Sequence, residues 1–293
     1  MVAHLAGAVR RRGAGWRVKV ADSVAWREAL AQVPGSDAAA AVEVQALAGG
    51  TTNATYRVRT RMGSFVVRLH EAYTLDLGVD RQREAVLHEL AGGAGLASRV
   101  LAADPEGRYL VTEFLDGSPW RLADMADAGC LQDLAHTLAE VHALPVPCVK
   151  RQDLQGLLER HVTQLASLDA AAAGELARQV ARAQDILARQ ADAGRKACVV
   201  HGDLAHTNMI GQGRPRLIDW EYAAVGDPLL DLACLVAYYP QVQPHGAMLL
   251  RRCGLPESAN LSALEDLAWV YRLLSDIWYR RLTLARRHPS PAH

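Results

Sequence analysis

Val199-Val200-His201-Gly202-Asp203-Leu204-Ala205-His206-Thr207-Asn208-Met209-Ile210, followed by Leu217-Ile218-Asp219-Trp220, is the stretch on which the reading of this chain turns. An apolar pair leads into each polar cluster: Val199-Val200 into His201-Gly202-Asp203, and Leu217-Ile218 into Asp219. Such pairs, β-branched and followed by turn residues, are short buried strands. The segment therefore reads as strand, loop, short strand, turn, strand. Two carboxylates and one amide leave strand ends inside it, with Asp219 eleven residues past Asn208.

A single Asp in a turn usually only closes the turn. Asp203, Asn208 and Asp219 together, each placed beside an apolar strand and flanked by His201 and Trp220, point to a site. Their chemistry suits phosphoryl transfer, which needs positioning and charge neutralisation more than covalent help. Asp203 can orient an attacking hydroxyl and accept its proton. Asn208 and Asp219 offer the hard oxygen donors that magnesium takes. The rival is a metal-dependent hydrolase using His201, Asp203 and His206, but no third soft ligand stands at a useful spacing. His201 is expected to brace the loop through a backbone hydrogen bond, and His206 to lie at the surface.

Outward from this segment the chain changes texture. Val42 to Leu47, Thr55 to Thr60 and Phe65 to Leu69 read as three strands of an antiparallel meander. Asp80 can cap a helix running to about Gly92. Val100 to Ala103 and Tyr109 to Phe114 add two strands around a turn at Asp104-Pro105-Glu106-Gly107. Beyond Asp116-Gly117 the pattern is helical: a stripe from Leu131 to His142, two helices over about 153–192 broken near Ala173-Gly174, and a long helix over Asn260–Arg286. The fold class is α+β: a first lobe (42–116) of a five-stranded antiparallel sheet with one helix, and a mainly helical second lobe (117–293). Residues 1–41 form a leader of unassigned role, with a short helix near Val24–Gln32 stopped by Pro34-Gly35.

Composition excludes several classes. With 32 basic and 32 acidic residues the formal net charge is zero, so no global field draws nucleic acid or an acidic membrane. Arg10, Arg11 and Arg12 read as a surface patch. Five cysteines, at 130, 148, 198, 234 and 253, form no CxxC pair, which argues for a reducing compartment. No run reaches the length of a membrane span. A cytoplasmic protein without membrane or nucleic-acid partners is expected; oligomeric state is not legible.

His201-Gly202-Asp203 through Asn208 resembles the HGD-x4-N catalytic loop of the aminoglycoside phosphotransferase and choline kinase superfamily, relatives of the protein kinases. Leu217-Ile218-Asp219-Trp220-Glu221-Tyr222-Ala223 resembles that superfamily's metal-binding turn, and Gly226-Asp227-Pro228 through Asp231-Leu232-Ala233 its following GDP-x-x-DLA. The likeness covers roughly residues 42–285 and implies a two-lobe kinase-like fold that uses ATP and Mg2+. It implies Asp203 as the catalytic residue, Asn208 and Asp219 as metal ligands, and His201, Asp227 and Asp231 as structural support. Leu47 to Val58 resembles the nucleotide-covering turn, placing Gly49, Gly50, Thr51 and Asn53 at phosphates. Arg68 matches the strand Lys or Arg that contacts the nucleotide, and Glu84 the helix glutamate that pairs with it. Glu113, Phe114 and Leu115 match the hinge whose backbone binds adenine. Thr207 departs from the pattern, which often has Gly there; a β-branched residue would be strained if that position needs positive φ.

The acceptor is read from the aromatics. Trp269, Tyr271, Trp278 and Tyr279 lie on one predicted helix, and Tyr222, Tyr238 and Tyr239 follow the metal-binding turn. Aromatic faces with a carboxylate can hold a cation, so Glu221, Tyr222, Trp269 and Trp278 are candidate acceptor contacts. Trp269 and Trp278 are nine residues apart, about 180° around an unbroken helix, and cannot face one pocket together. A small cationic alcohol (choline, ethanolamine or thiamine) is the expected acceptor. The alternatives are an aminoglycoside or amino sugar, or a silent kinase-like nucleotide-binding module.

Overall fold

The computed structural model describes residues 24–36, 41–47, 53–70, 79–191 and 193–287. These residues divide into two compact units. One takes the described residues up to 70 with 100–114; the other takes 79–99 and everything described from 115 on. The chain thus crosses between units after Phe114, inside the expected hinge stretch.

The first unit is an antiparallel sheet of five strands: β1 (Glu43–Ala46), β2 (Asn53–Thr60), β3 (Gly63–His70), β4 (Val100–Ala103) and β5 (Tyr109–Glu113), in the order β1-β2-β3-β5-β4. All five are legible in the sequence. Alternation sends Tyr56 and Val58 of β2, Phe65 and Val67 of β3 and Val111 of β5 to one face, where they pack with Trp26, Ala29, Leu30 and Val33. Those last residues belong to helix α1 (Val24–Leu30) and the turn behind it, which Gly35 closes at φ +76°. The stretch set apart as a leader is therefore, where described, part of the sheet's core: Trp26 is 2 % exposed and Leu30 fully buried. The other face of β3 carries Arg68, directly opposite Thr55 and Leu110. Arg57 on β2 stands over the ring of Phe114, 3.8 Å from its centroid.

The second unit opens with helix α2 (Arg81–Gly93), capped by Asp80, whose side chain accepts from the Arg83 N–H. It continues through α3 (Ala128–His142), α4 (Leu154–Leu168), α5 (Ala170–Glu175), α6 (Ala177–Ala191), α7 (Leu229–Tyr238), α8 (Gly246–Arg252) and α9 (Leu261–Arg287). Where two helices were expected over 153–192 there are three. The extra break falls at Asp169, whose carboxylate accepts from the Ala172 N–H and starts α5. An Asp offering the backbone this alternative partner ends one helix and caps the next. Two small ribbons sit among the helices: β6 (Cys198–Val200) with β9 (Ala224–Gly226), and β7 (Met209–Ile210) with β8 (Arg216–Leu217), both antiparallel. Val199, Met209 and Leu217 of these ribbons join one core with Leu134, Leu138, Leu232, Ala268 and Ile277, while Cys198, Val200 and Ala224 form a small cluster of their own. Among the described residues no helix is long and apolar enough to cross a membrane. All five cysteines are free thiols.

Candidate active site

The segment from Val199 to Trp220 folds as two turns between short strands within the second unit. β6 ends at Val200, and the next three residues are His201, Gly202 and Asp203. The loop then makes a turn of 3-10 helix at His206–Asn208 and enters β7. Met209 pairs with Leu217, and the Ile218 N–H donates to the Asn208 carbonyl at 2.9 Å. This register brings Asn208 beside Asp219, eleven residues later in sequence.

His201 ties the two turns together. Its Nε2 bonds the Ile218 carbonyl at 3.0 Å, and its Nδ1 accepts from the Asp203 N–H at 3.3 Å. Burial holds its pKa below the ordinary histidine value, against the charge of Asp231. A neutral imidazole with both nitrogens engaged is a brace, and has no lone pair left for a metal. The hydrolase reading loses its first ligand on that ground. His206, expected at the surface, is instead partly buried: Tyr239 OH accepts its backbone N–H at 2.7 Å and bonds its Nδ1 at 2.9 Å.

Asp203 keeps part of its surface open to solvent but lies among acidic and aromatic groups. Tyr238 OH donates to its Oδ1 at 3.1 Å, and the Asn208 amide donates to its Oδ2 at 3.2 Å and to its carbonyl at 3.0 Å. Its pKa is pushed up to about 7, first by burial and then by the Asp219 charge; the bonds from Tyr238 and Asn208 work against the rise. With its NH2 turned to Asp203, Asn208 has its amide oxygen left for a cation. Asp219 sits at φ 65°, ψ 65°, and is the only non-glycine with positive φ among the described residues. An L side chain resists this left-handed conformation, and such strain gathers at functional turns. Thr207 is under no such strain, so the departure from Gly there is accommodated by the 3-10 turn.

Asn208 and Asp219 fit magnesium by donor chemistry: one neutral and one anionic oxygen ligand, leaving positions for water and phosphate oxygens. Among the described residues no cluster of three or more His, Cys, Asp or Glu could hold a metal ion.

Asp231 and Asp227, the other residues expected as support, each gather several donors. Asp231, fully buried, accepts the N–H groups of His201 at 3.2 Å and Gly202 at 2.9 Å, and bonds His142 Nε2 at 2.9 Å. Burial presses its pKa up, but the hydrogen bond and charge of His142 and the Gly202 N–H outweigh it, and the net direction is down. Asp227 takes a bidentate grip from Arg195, at 2.9 and 2.6 Å, and accepts the Leu229 N–H at the start of α7.

Other candidates are redistributed. Glu221, expected beside the acceptor, is 4 % exposed and bonded to Arg81 at 3.1 Å; the same guanidinium holds Glu84 at 2.8 Å. Its charge is engaged in a buried ion pair between α2 and the turn that follows Asp219, so it is withdrawn as an acceptor contact. Trp269 lies under Arg182 of α6, 4.2 Å from ring centroid to guanidinium, and packs on the core; it too is withdrawn. Tyr222 stays near the carboxylates, its pKa raised well above 10 by burial and then by Glu221, Asp203 and Asp219. Trp278 is half-buried and edge-on to Tyr279 at 4.9 Å. Tyr279 is exposed. Gly49, Gly50 and Thr51 lie outside the described residues. Asn53 opens β2. The Phe114 N–H is taken by the Ser64 carbonyl at 3.0 Å, and Glu113 ends β5.

The sequence reading named Asp231 as support but missed Cys234 and the contact of Tyr238 with Asp203, both on α7. Asp231, Cys234 and Tyr238 are spaced i, i+3, i+7 on one helix face, and all three meet the loop: Asp231 the N–H groups of 201 and 202, Cys234 Sγ the Leu204 N–H at 3.2 Å, Tyr238 the Asp203 carboxylate. That spacing was the available signal. Tyr271 of α9 also reaches the loop, donating to the Gly202 carbonyl.

A kinase-like fold carrying an acidic loop, an amide and a strained acidic turn defines a phosphotransferase. The chain belongs to the phosphotransferase enzyme family, whose model matches residues 43–261. It is similar in fold to choline kinase LicA from Streptococcus pneumoniae, with a TM-score of 0.69 and 23 % identity over 86 % of this chain and 88 % of that one. The ADP-bound aminoglycoside phosphotransferase APH(2'')-Ib is also similar, with a TM-score of 0.58 and 17 % identity over 86 % of this chain and 88 % of that one. A mouse (Mus musculus) protein, acyl-CoA dehydrogenase family member 11, is 24 % identical over 81 % of this chain. The chain spans about a third of that relative's length, 33 %.

Proposed function

We infer that the protein transfers the γ-phosphoryl group of ATP to the hydroxyl of a small cationic alcohol of the choline, ethanolamine or thiamine kind. The observation that carries this is the Asp203–Asn208–Asp219 arrangement: a carboxylate held by two hydrogen-bond donors, next to two oxygen ligands of the kind magnesium takes. In the proposed step the acceptor oxygen bonds to the γ-phosphorus, the bond from that phosphorus to the β–γ bridging oxygen breaks, and ADP leaves. Asp203 aligns the acceptor hydroxyl and takes its proton. Asn208 and Asp219 would hold magnesium, which supplies charge neutralisation along the phosphates when bound. Arg68, Asn53 and the backbone from Glu113 to Leu115 are the proposed nucleotide contacts, and Gly49, Gly50 and Thr51 the proposed cover.

The cationic acceptor is supported by the aromatic side chains around Asp203. Tyr238 bonds the carboxylate, and the Tyr271 ring lies edge-on to the Tyr238 ring at 5.7 Å. Ring faces beside a carboxylate favour a desolvated cation. Similarity to a choline kinase at a TM-score of 0.69, against 0.58 for the aminoglycoside enzyme, favours the same reading. Choline, ethanolamine, thiamine and an aminoglycoside, each offered with Mg-ATP, should separate the acceptors by ADP release. Release stimulated at least tenfold by one of the first three supports the proposal; stimulation by the aminoglycoside alone overturns the acceptor class.

A further inference from the structure

The face of α7 that carries Asp231, Cys234 and Tyr238 meets four consecutive loop residues, 201 to 204. Asp231 and Cys234 bond backbone N–H groups, which fixes the path of the loop. Tyr238 differs, because its partner is the reactive side chain itself. We propose that Tyr238 is a positioning residue for phosphoryl transfer: its phenol holds the Asp203 carboxylate in the orientation that receives the acceptor hydroxyl.

The geometry supports this in three ways. A carboxylate on one Cβ can rotate about χ2, which is a broad torsion. A donor on each oxygen stops that rotation, and here Tyr238 holds Oδ1 while Asn208 holds Oδ2. The phenol is itself fixed, edge-on between Tyr271 at 5.7 Å and Tyr239 at 6.2 Å. Finally, burial and then the charge of Asp203 raise the Tyr238 pKa well above 10, so the group remains a donor throughout the working range. One lone pair on each carboxylate oxygen remains for the acceptor proton.

The inference rests on the kinase reading for its turnover test but not for its spectroscopic one. In an Mg-ATP assay that follows choline phosphorylation and ADP release together, Tyr238→Phe should lower kcat about tenfold. KM for ATP and the Tm should stay unchanged, since neither substrate binding nor packing is altered. In an Asp203→Asn background the same substitution should change ADP release less than twofold, because its route of action is already cut. Full kcat in Tyr238→Phe, or an equal tenfold loss in the Asp203→Asn background, overturns the proposal. Independently of turnover, tyrosine labelled with 13C at Cζ should show the Tyr238 resonance, assigned by its loss in Tyr238→Phe, moving on Asp203→Asn. A resonance that does not move overturns the proposal. A resonance that moves while choline is not phosphorylated leaves Tyr238 in its role and removes only the acceptor reading.

Discussion

Gly202 shows how narrowly the loop is specified at the level of one residue. It sits at φ +78°, and a Cβ built there would stand 2.7 Å from the Tyr222 carbonyl oxygen. Backbone on both sides leaves nothing flexible to yield. Gly202→Ala is therefore expected to lower stability by about 1–3 kcal/mol and to cost at least tenfold in turnover, because the next residue is Asp203. Paired thermal melts and ADP-release assays check this; a variant matching the parent in both would mean the loop takes another path. Asp219 is the opposite case, a non-glycine in the left-handed region. Glycine would be easier there, so the carboxylate is what the position requires.

At the level of elements, the contact between α4 and α9 contains a buried histidine with a pH signature. His161 of α4 is 4 % exposed, and Arg281 of α9 donates to its Nδ1. Burial, then the charges of Arg281 and Arg160, press its pKa to about 4 from an ordinary 6.5. The folded pKa is depressed, so between pH 6.5 and 4 the unfolded chain binds a proton that the folded chain refuses. Stability is then full above about 6.5 and falls through that window, on the order of 3 kcal/mol at its lower end. His161→Leu should flatten the Tm-versus-pH curve between pH 4 and 6.5; an unchanged slope would assign the dependence elsewhere. This pair was not legible in the sequence, because nothing local links positions 120 residues apart. The strands were legible, since buried Tyr56, Val58, Phe65 and Val67 alternate with half-buried or exposed neighbours, the period-two pattern of a strand. The Asp169 break was missed because Ala-rich sequence masks it, and only the carboxylate cap reveals it.

Across the whole chain, the loop residues were readable because their spacing is local: Asp203, Asn208 and Asp219 fall within one short stretch of sequence. The proposed acceptor side was less readable because its aromatic side chains come together from α7 and α9 by packing. Trp269 looked like an acceptor contact until helix rotation turned it to Arg182, and Glu221 until Arg81 took its charge. The aromatic that does touch the Asp203 carboxylate, Tyr238, is grouped in the sequence only loosely with the others. The central claim is that Asp203 serves the attacking hydroxyl in a magnesium-dependent phosphoryl transfer. It is tested most directly by phosphorus NMR of the protein with Mg-ATP and choline, beside Asp203→Asn. The expected result is a new phosphomonoester signal growing in step with ADP for the parent, slowed about 10²–10⁴-fold in the variant while ATP still binds. A variant that forms the ester at the parent's rate would contradict it.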